Sequence, residues 1–306
     1  VAIAEGVCTM GLRFPSRARF SLSRFGFTFV LAAFAAGCGE SAATIEAEAG
    51  EVSGASSDEL EQAFPGVAGE AGEGDFEVGG TRQRLSYRYV QGHVVVDGDI
   101  IVSRDDDLDG VATVQQGVAA VTSNGLWPNG VVPYVIDPAL PNPSRVTNAI
   151  AVWHAKTKVK FVKRTNEAAY VLIRPGSGCS ADVGYRKAKR VVNLATACST
   201  GNTIHELGHT VGLWHEQSRS DRDSFVAVKW ANVQPGMEHN FKTYQQQLQA
   251  GQDVGSYDFG SVMHYAPTAF SVNGQPTLVK KNGGTWNANR TTLSANDVTT
   301  IGKLYK

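Results

Sequence analysis

The chain has 306 residues, 42% of them hydrophobic and 9% aromatic, which excludes a molecule too small or too polar to bury a core; there is room for one large domain or two smaller ones. Its formal net charge is −1. That near-neutrality hides two opposite halves: residues 39–125 carry 17 acidic and 4 basic side chains, a balance of −13, whereas residues 126–306 carry 11 and 20, a balance of +9.

Residues 1–38 read as a signal peptide. Arg13, Arg17, Arg19 and Arg24 precede FGFTFVLAAFAAGC, an apolar run shorter than the roughly 20 residues a membrane-spanning helix needs. Its end, AAGC, resembles the lipobox of bacterial lipoproteins, in which the cysteine, here Cys38, is lipidated after cleavage; Ala35 departs from the usual leucine. An ordinary signal peptide cleaved nearby is the competing reading. Residues 1–9 precede Met10, do not fit the signal pattern and read as an over-extended start.

Residues 39–80 are rich in Ala, Gly, Ser and Glu with no Lys or Arg, so they are expected to be a disordered acidic tether. Extended segments are expected within RLSYRYVQGHVVVDGDIIVS (84–103), followed by DDDLDG (105–110), which reads as a solvated turn because position 116, where a calcium loop closes with Glu, is Gln. A compact domain is expected over 126–306. In it, WPNGVVPYVID (127–137) contains a strand, and SRVTNAIAVWHAKT (144–157) places Val146, Ile150 and Trp153 on one helical face behind a Ser144 cap. KVKFVKR (158–164), AAYVLIRPG (168–176) and VVNLA (191–195) read as strands, giving an α+β order.

The chemistry concentrates in HELGHTVGLWHEQSRSDRD (205–223), where three of the chain's 7 histidines fall within eleven positions. On a helix His205 and His209 share a face, roughly 6 Å apart along the axis, so both imidazoles can reach one ion. Gly212 can take a left-handed conformation that ends the helix and returns His215 to the same point. Three histidines leave a coordination position open, as in catalytic rather than structural zinc sites. Glu206, beside a ligand but poorly placed to be one, can take a proton from a water acidified by the metal and pass it to a leaving amine.

The pattern H-E-x-x-H-x-x-G-x-x-H marks the metzincins. Together with HEQSRSDRD and SVMHY (261–265), it closely resembles the astacin family of zinc metallopeptidases over roughly residues 126–306. The resemblance implies a two-lobed α+β catalytic domain. A twisted sheet and two long helices would form the N-terminal lobe, a mostly irregular C-terminal lobe would face it, and the active-site cleft would lie between them. It implies one Zn2+ per chain on His205, His209 and His215, with Met263 in the turn beneath it. Tyr265 would be a switchable fifth ligand that supports the oxyanion. Glu216 would pair with the N-terminal amine freed on maturation, and Cys179 and Cys198 would form one of the family's two disulfides; the other is missing, with Val159 and Lys306 at its positions. VDGDII (96–101) resembles the F-x-G-D stretch of astacin zymogens, with Val96 for Phe, making residues 81–125 a pro-segment and Asp99 an inhibitory zinc ligand. His264 and Trp214 read as packing residues, and Arg219, Asp221, Arg222 and Asp223 as a structural charge network.

The expected function is therefore a zinc metalloendopeptidase made as a latent precursor and acting on proteins or peptides. It would be a monomer without nucleic-acid partners, held in the bacterial cell envelope by Cys38 before activation, or secreted. The competing class is a surface binding or adhesion module on the same fold, which would need neither Glu206 nor latency. Acidic substrates fit the +9 domain, with Arg290, Lys280 and Lys281 as candidate recognition groups.

Overall fold

The computed structural model describes residues 62–78, 81–104, 125–247 and 251–306; Cys38, the expected signal peptide and the expected turn at DDDLDG lie outside them. The first four strands form an antiparallel meander, β1 (Glu70–Val78), β2 (Thr81–Val90), β3 (His93–Val96) and β4 (Ile100–Arg104). The domain that follows contributes β5 (Val131–Ile136), α1 (Ser144–Lys156), β6 (Lys160–Lys163), β7 (Tyr170–Pro175), β8 (Cys179–Ala181), β9 (Lys189–Leu194) and α2 (Thr200–Thr210). After α2 come two short strands, β10 (Val226–Val228) and β11 (Leu278–Lys280), and a last helix, α3 (Ala295–Leu304).

Among the described residues nine strands form one sheet in the order β1-β2-β3-β4-β8-β9-β7-β5-β6. β5, β6, β7 and β9 run parallel, while β8 is antiparallel to β9. The meander joins this sheet at β8, where Ile100 lies beside Ala181 in parallel register and the Ala181 N–H donates to the Asp99 carbonyl at 3.1 Å.

Residues 62–78 correct the expectation of a tether over 39–80. Ala63 is buried and donates its N–H to the Gly98 carbonyl at 2.9 Å, and β1 pairs with β2 along its whole length. Cross-strand contacts outweigh the composition. Phe76 meets Tyr87 edge-on at 5.6 Å, and Glu73 pairs with Arg84 at 3.3 Å.

α1 buries Val146, Ile150 and Trp153 as its period requires. Its start differs: Pro143 is the cap, and Ser144 is the first helical residue, its hydroxyl donating to Asn142 Oδ1 at 2.8 Å. α1 packs on α2, and Trp153 Nε1 donates to the Ile204 carbonyl at 3.2 Å. α2 opens on a capping box between Ser199 and Asn202, and every residue from Gly201 to Thr210 is buried, because the helix runs between the sheet and the irregular C-terminal half. That half has its own apolar cluster around Val226, Phe241, Tyr265, Phe270 and Leu278.

Cys179 and Cys198 are bonded, with Cα atoms 6.0 Å apart, and staple β8 to the turn that launches α2. At the position of the absent second bridge Val159 is fully buried, and the C-terminus is held by Tyr305, whose hydroxyl donates to the Val211 carbonyl at 2.9 Å. For bonded cysteines with a sequence separation of 19, the chain-entropy model assigns the bridge about 3 kcal/mol. Reduction should therefore lower the melting temperature of the folded chain, and thiol titration before reduction should find neither Cys179 nor Cys198 reactive.

Candidate active site

The site is built on the end of α2. Four positions apart on one face, His205 and His209 bring their Nε2 atoms within 3.1 Å of each other. The helix stops at Thr210, and Gly212, at φ +98°, donates its N–H to the His209 carbonyl at 2.8 Å while the chain reverses. His215 then presents its own Nε2 at 3.2 Å from that of His205.

Each ring is aimed from behind. His205 Nδ1 meets the Val262 carbonyl and His209 Nδ1 the Leu213 carbonyl, both at 2.8 Å. Those contacts place the ring protons on Nδ1 and leave the Nε2 lone pairs facing inward. His215 Nδ1 faces Asp97 Oδ2 at 3.9 Å. The Asp99 carboxylate closes the ring of donors, with Oδ2 3.2 Å from His205 Nε2 and 3.3 Å from His215 Nε2, and Oδ1 3.6 Å from His209 Nε2. All four donors are buried and lie within 4.8 Å of one another. Lone pairs crowded together out of water repel, and a cation at their meeting point removes the conflict. Three imidazoles and a carboxylate are the donor set that zinc accepts.

The electrostatics of the protein groups alone point the same way. Burial pushes His209 down to about 4. Burial opposes the charged form of His215 as well, but Asp99 and Asp97 outweigh it and lift the group to about 9. A metal ion supplies in place of that proton the positive charge the carboxylates call for.

Glu206 follows His205 on α2 and is fully buried. Met263 passes so close under the helix that a Cβ on Gly208 would stand 2.5 Å from its sulfur, which explains the glycine. The turn is pinned on both sides: the Glu216 N–H donates to the Met263 carbonyl at 3.0 Å, and Asp297, in the first turn of α3, accepts from the Ser261 hydroxyl at 2.6 Å and the Val262 N–H at 3.0 Å. The Tyr265 ring packs tilted against His215 with centroids 4.5 Å apart, and its hydroxyl donates to the Asp97 carbonyl at 2.6 Å. Glu216 accepts the Asp258 N–H at 2.8 Å, and burial, against the pull of Arg219, raises its carboxyl to about 8.

Two residues that the sequence reading passed over belong here. Asp97 accepts from Ser218 Oγ at 3.0 Å and Gln247 Nε2 at 3.3 Å, while its backbone holds Tyr265. Gln217 Oε1 accepts the Tyr265 N–H at 3.0 Å. The Asp-Gly pair of the turn was the available signal for the first, and HEQ for the second.

The remaining expectations divide. Arg219 pairs with Asp221 at 2.8 Å, and the buried Arg222 pairs with Asp223 at 2.7 Å and donates to the Gln217 and Phe241 carbonyls, a structural network. His264 is buried against Tyr257, whose hydroxyl lies 2.7 Å from Nε2. Trp214 packs in a cluster with Phe76, Leu85, Val96 and Ile100 of strands β1 to β4. Arg290 donates to the Val262 and His264 carbonyls at 3.0 and 3.1 Å, bracing the methionine turn, and Lys280 Nζ lies 4.8 Å from the Phe259 ring centroid.

Comparison with known proteins identifies the lineage. The family model described as Astacin, a peptidase family, matches residues 119–306. The chain belongs to the astacin family. Zinc metalloproteinase nas-4 of Caenorhabditis elegans is 41% identical over 185 residues, 58% of this chain and 58% of the relative. Meprin A subunit beta of Homo sapiens is 38% identical over 159 residues, 51% and 22% of the two chains. This chain spans about half the length, or less, of the curated relatives it matches. Among solved structures, High choriolytic enzyme 1, a hatching enzyme zinc-protease from Oryzias latipes, aligns at 31% identity with a TM-score of 0.55, covering 60% of this chain and 95% of that one. The shared architecture is the α+β astacin-like fold of a zinc peptidase family, and the cluster of Asp99, His205, His209 and His215 could hold one zinc ion.

Metal analysis should find one zinc ion per chain. His209→Ala should lose it, with a lower melting temperature that added zinc does not restore.

Proposed function

We propose that this chain is an exported zinc-dependent endopeptidase made as a latent precursor, in which residues 81–125 inhibit the domain over 126–306. The observation that carries the reading is the Asp99 carboxylate seated among the three Nε2 atoms, with Glu206 buried on the same helix as two of the histidines. A zinc ion held by His205, His209 and His215 supplies Lewis acidity toward water and toward the scissile carbonyl. Glu206 acts as general base on the attacking water and then hands the proton to the leaving amine. Tyr265, once its hydroxyl leaves the Asp97 carbonyl, donates a hydrogen bond to the oxyanion of the tetrahedral intermediate. His205 and His209 stay oriented by the Val262 and Leu213 carbonyls throughout. A binding module on the same fold would require no general base and no carboxylate plug.

Maturation by a cut around residues 110–126 removes Asp97 and Asp99 together, and Glu216 receives the new N-terminal amine. With Cys38 lipidated, anchor and inhibitor lie on one removable segment, so the same cut frees the domain from the membrane. Among the described residues no helix is long and apolar enough to cross a membrane. The −13 and +9 halves assist the latent complex by charge, and high salt loosens it.

Glu206→Gln should retain zinc while turnover falls at least ~10²-fold, since general-base catalysis contributes that much. Appreciable activity in that variant would overturn the mechanism. In the uncut full-length chain, Asp99→Ala should be more active than the unaltered precursor; equal latency would show that Asp99 is not the inhibitor.

A further inference from the structure

The pro-segment leaves a second mark on the domain, away from the histidines. Arg104, the last residue of β4, turns a buried guanidinium onto Asp182, the residue after β8. Nη2 lies 2.5 Å from Oδ1 and Nη1 3.1 Å from Oδ2, a two-pronged contact. The pair runs against the overall charge sense, since here the cation sits on the acidic pro-segment and the anion on the basic domain.

Asp182 is held in place by groups that remain after the pro-segment departs. Its Oδ2 accepts the Val191 N–H at 2.9 Å, and Arg190 Nε stands 3.8 Å away, its guanidinium fixed by the Val183 and Gly184 carbonyls. Burial opposes ionisation of Asp182, but Arg104 and Arg190 outweigh it and hold the carboxyl below its usual range. Removing residues up to 104 also vacates the edge of β8, where the Ala181 N–H now donates to the Asp99 carbonyl. An extended peptide adding to that edge would take over the backbone contact and place a side chain where Arg104 lies.

We infer that Asp182 forms a subsite for a basic substrate side chain, arginine above lysine, on the side of the cleft that residues 100–104 cover. The pro-segment occupies it with Arg104 as a substrate side chain would. This deepens the peptidase reading and rests on it. The preference for arginine follows from the two-pronged geometry, which a planar guanidinium satisfies and an ammonium does not. Asp182 is a specificity residue and takes no part in bond cleavage.

The test uses the domain released by cutting the folded full-length chain. Peptides carry arginine, citrulline or glutamate at each of several positions around the scissile bond. Citrulline keeps the shape of arginine and removes its charge. At one position arginine should exceed citrulline in kcat/KM on the order of tenfold, the size of a charge-assisted hydrogen bond. Asp182→Asn should erase that difference, and Asp182→Lys should favour glutamate there. No arginine preference at any position, or one that persists in Asp182→Asn, overturns the subsite. The arginine-citrulline comparison needs no variant, so a poorly folding Asp182 variant does not weaken it. Should no peptide be cut, the peptidase reading falls, and the subsite is judged by binding alone. A peptide of residues 95–104 should then bind the released domain on the order of tenfold more tightly than its form with citrulline at 104; equal affinity rejects the proposal.

Discussion

Three buried imidazole lone pairs converge on one point, and much of the molecule is arranged to hold them there. Two come from one helix turn, the third from a chain reversal at Gly212, and carbonyls of Leu213 and Val262 fix the rings of His209 and His205. The Val262 carbonyl belongs to the methionine turn, which Asp297 of α3 and Arg290 both brace. The Cys179–Cys198 staple sets the start of α2 against β8. Such a convergence is unfavourable for the protein by itself, so its retention in a dry interior is a commitment to a cation.

The turn between β3 and β4 exploits the same geometry. One turn, Asp97 to Asp99, puts a carboxylate among the histidines, a carbonyl on Tyr265 and a second carboxylate on Ser218 and Gln247. Asp97 adopts φ +46°, a conformation unfavourable for a non-glycine residue, and the surrounding contacts hold it there. Behind the turn, β1 to β4 extend the domain's own sheet, and Trp214 packs in a shared cluster with Phe76, Leu85, Val96 and Ile100. The proposed latency is strand addition with a carboxylate plug. It reverses when the strand leaves rather than when one side chain moves.

The sequence reveals most where spacing alone dictates geometry. His205, His209 and His215 with Gly212 are such a case, because helix periodicity and a left-handed glycine determine where three rings go. The apolar face of α1 is another. β1 is hidden because its charges and glycines resemble solvated chain, although Glu73 and Asp75 alternate with Gly74 and Phe76 in a period of two; its order comes from pairing with β2. Ser144 resembles a cap by residue type, yet Pro143 is already in a helical conformation and takes that place. The Arg104–Asp182 contact joins residues 78 positions apart and carries no local signal. Neither Asp182 nor Arg104 stands out until the fold brings them together.

The central claim is that Asp99 is a ligand of the metal in the precursor and leaves it on maturation. Zinc-edge X-ray absorption on the uncut chain and on the released domain tests this most directly. The account predicts three imidazoles and a protein carboxylate in the uncut chain, with the carboxylate contribution lost after the cut and absent from an uncut Asp99→Ala chain. Identical spectra for all three species would contradict it.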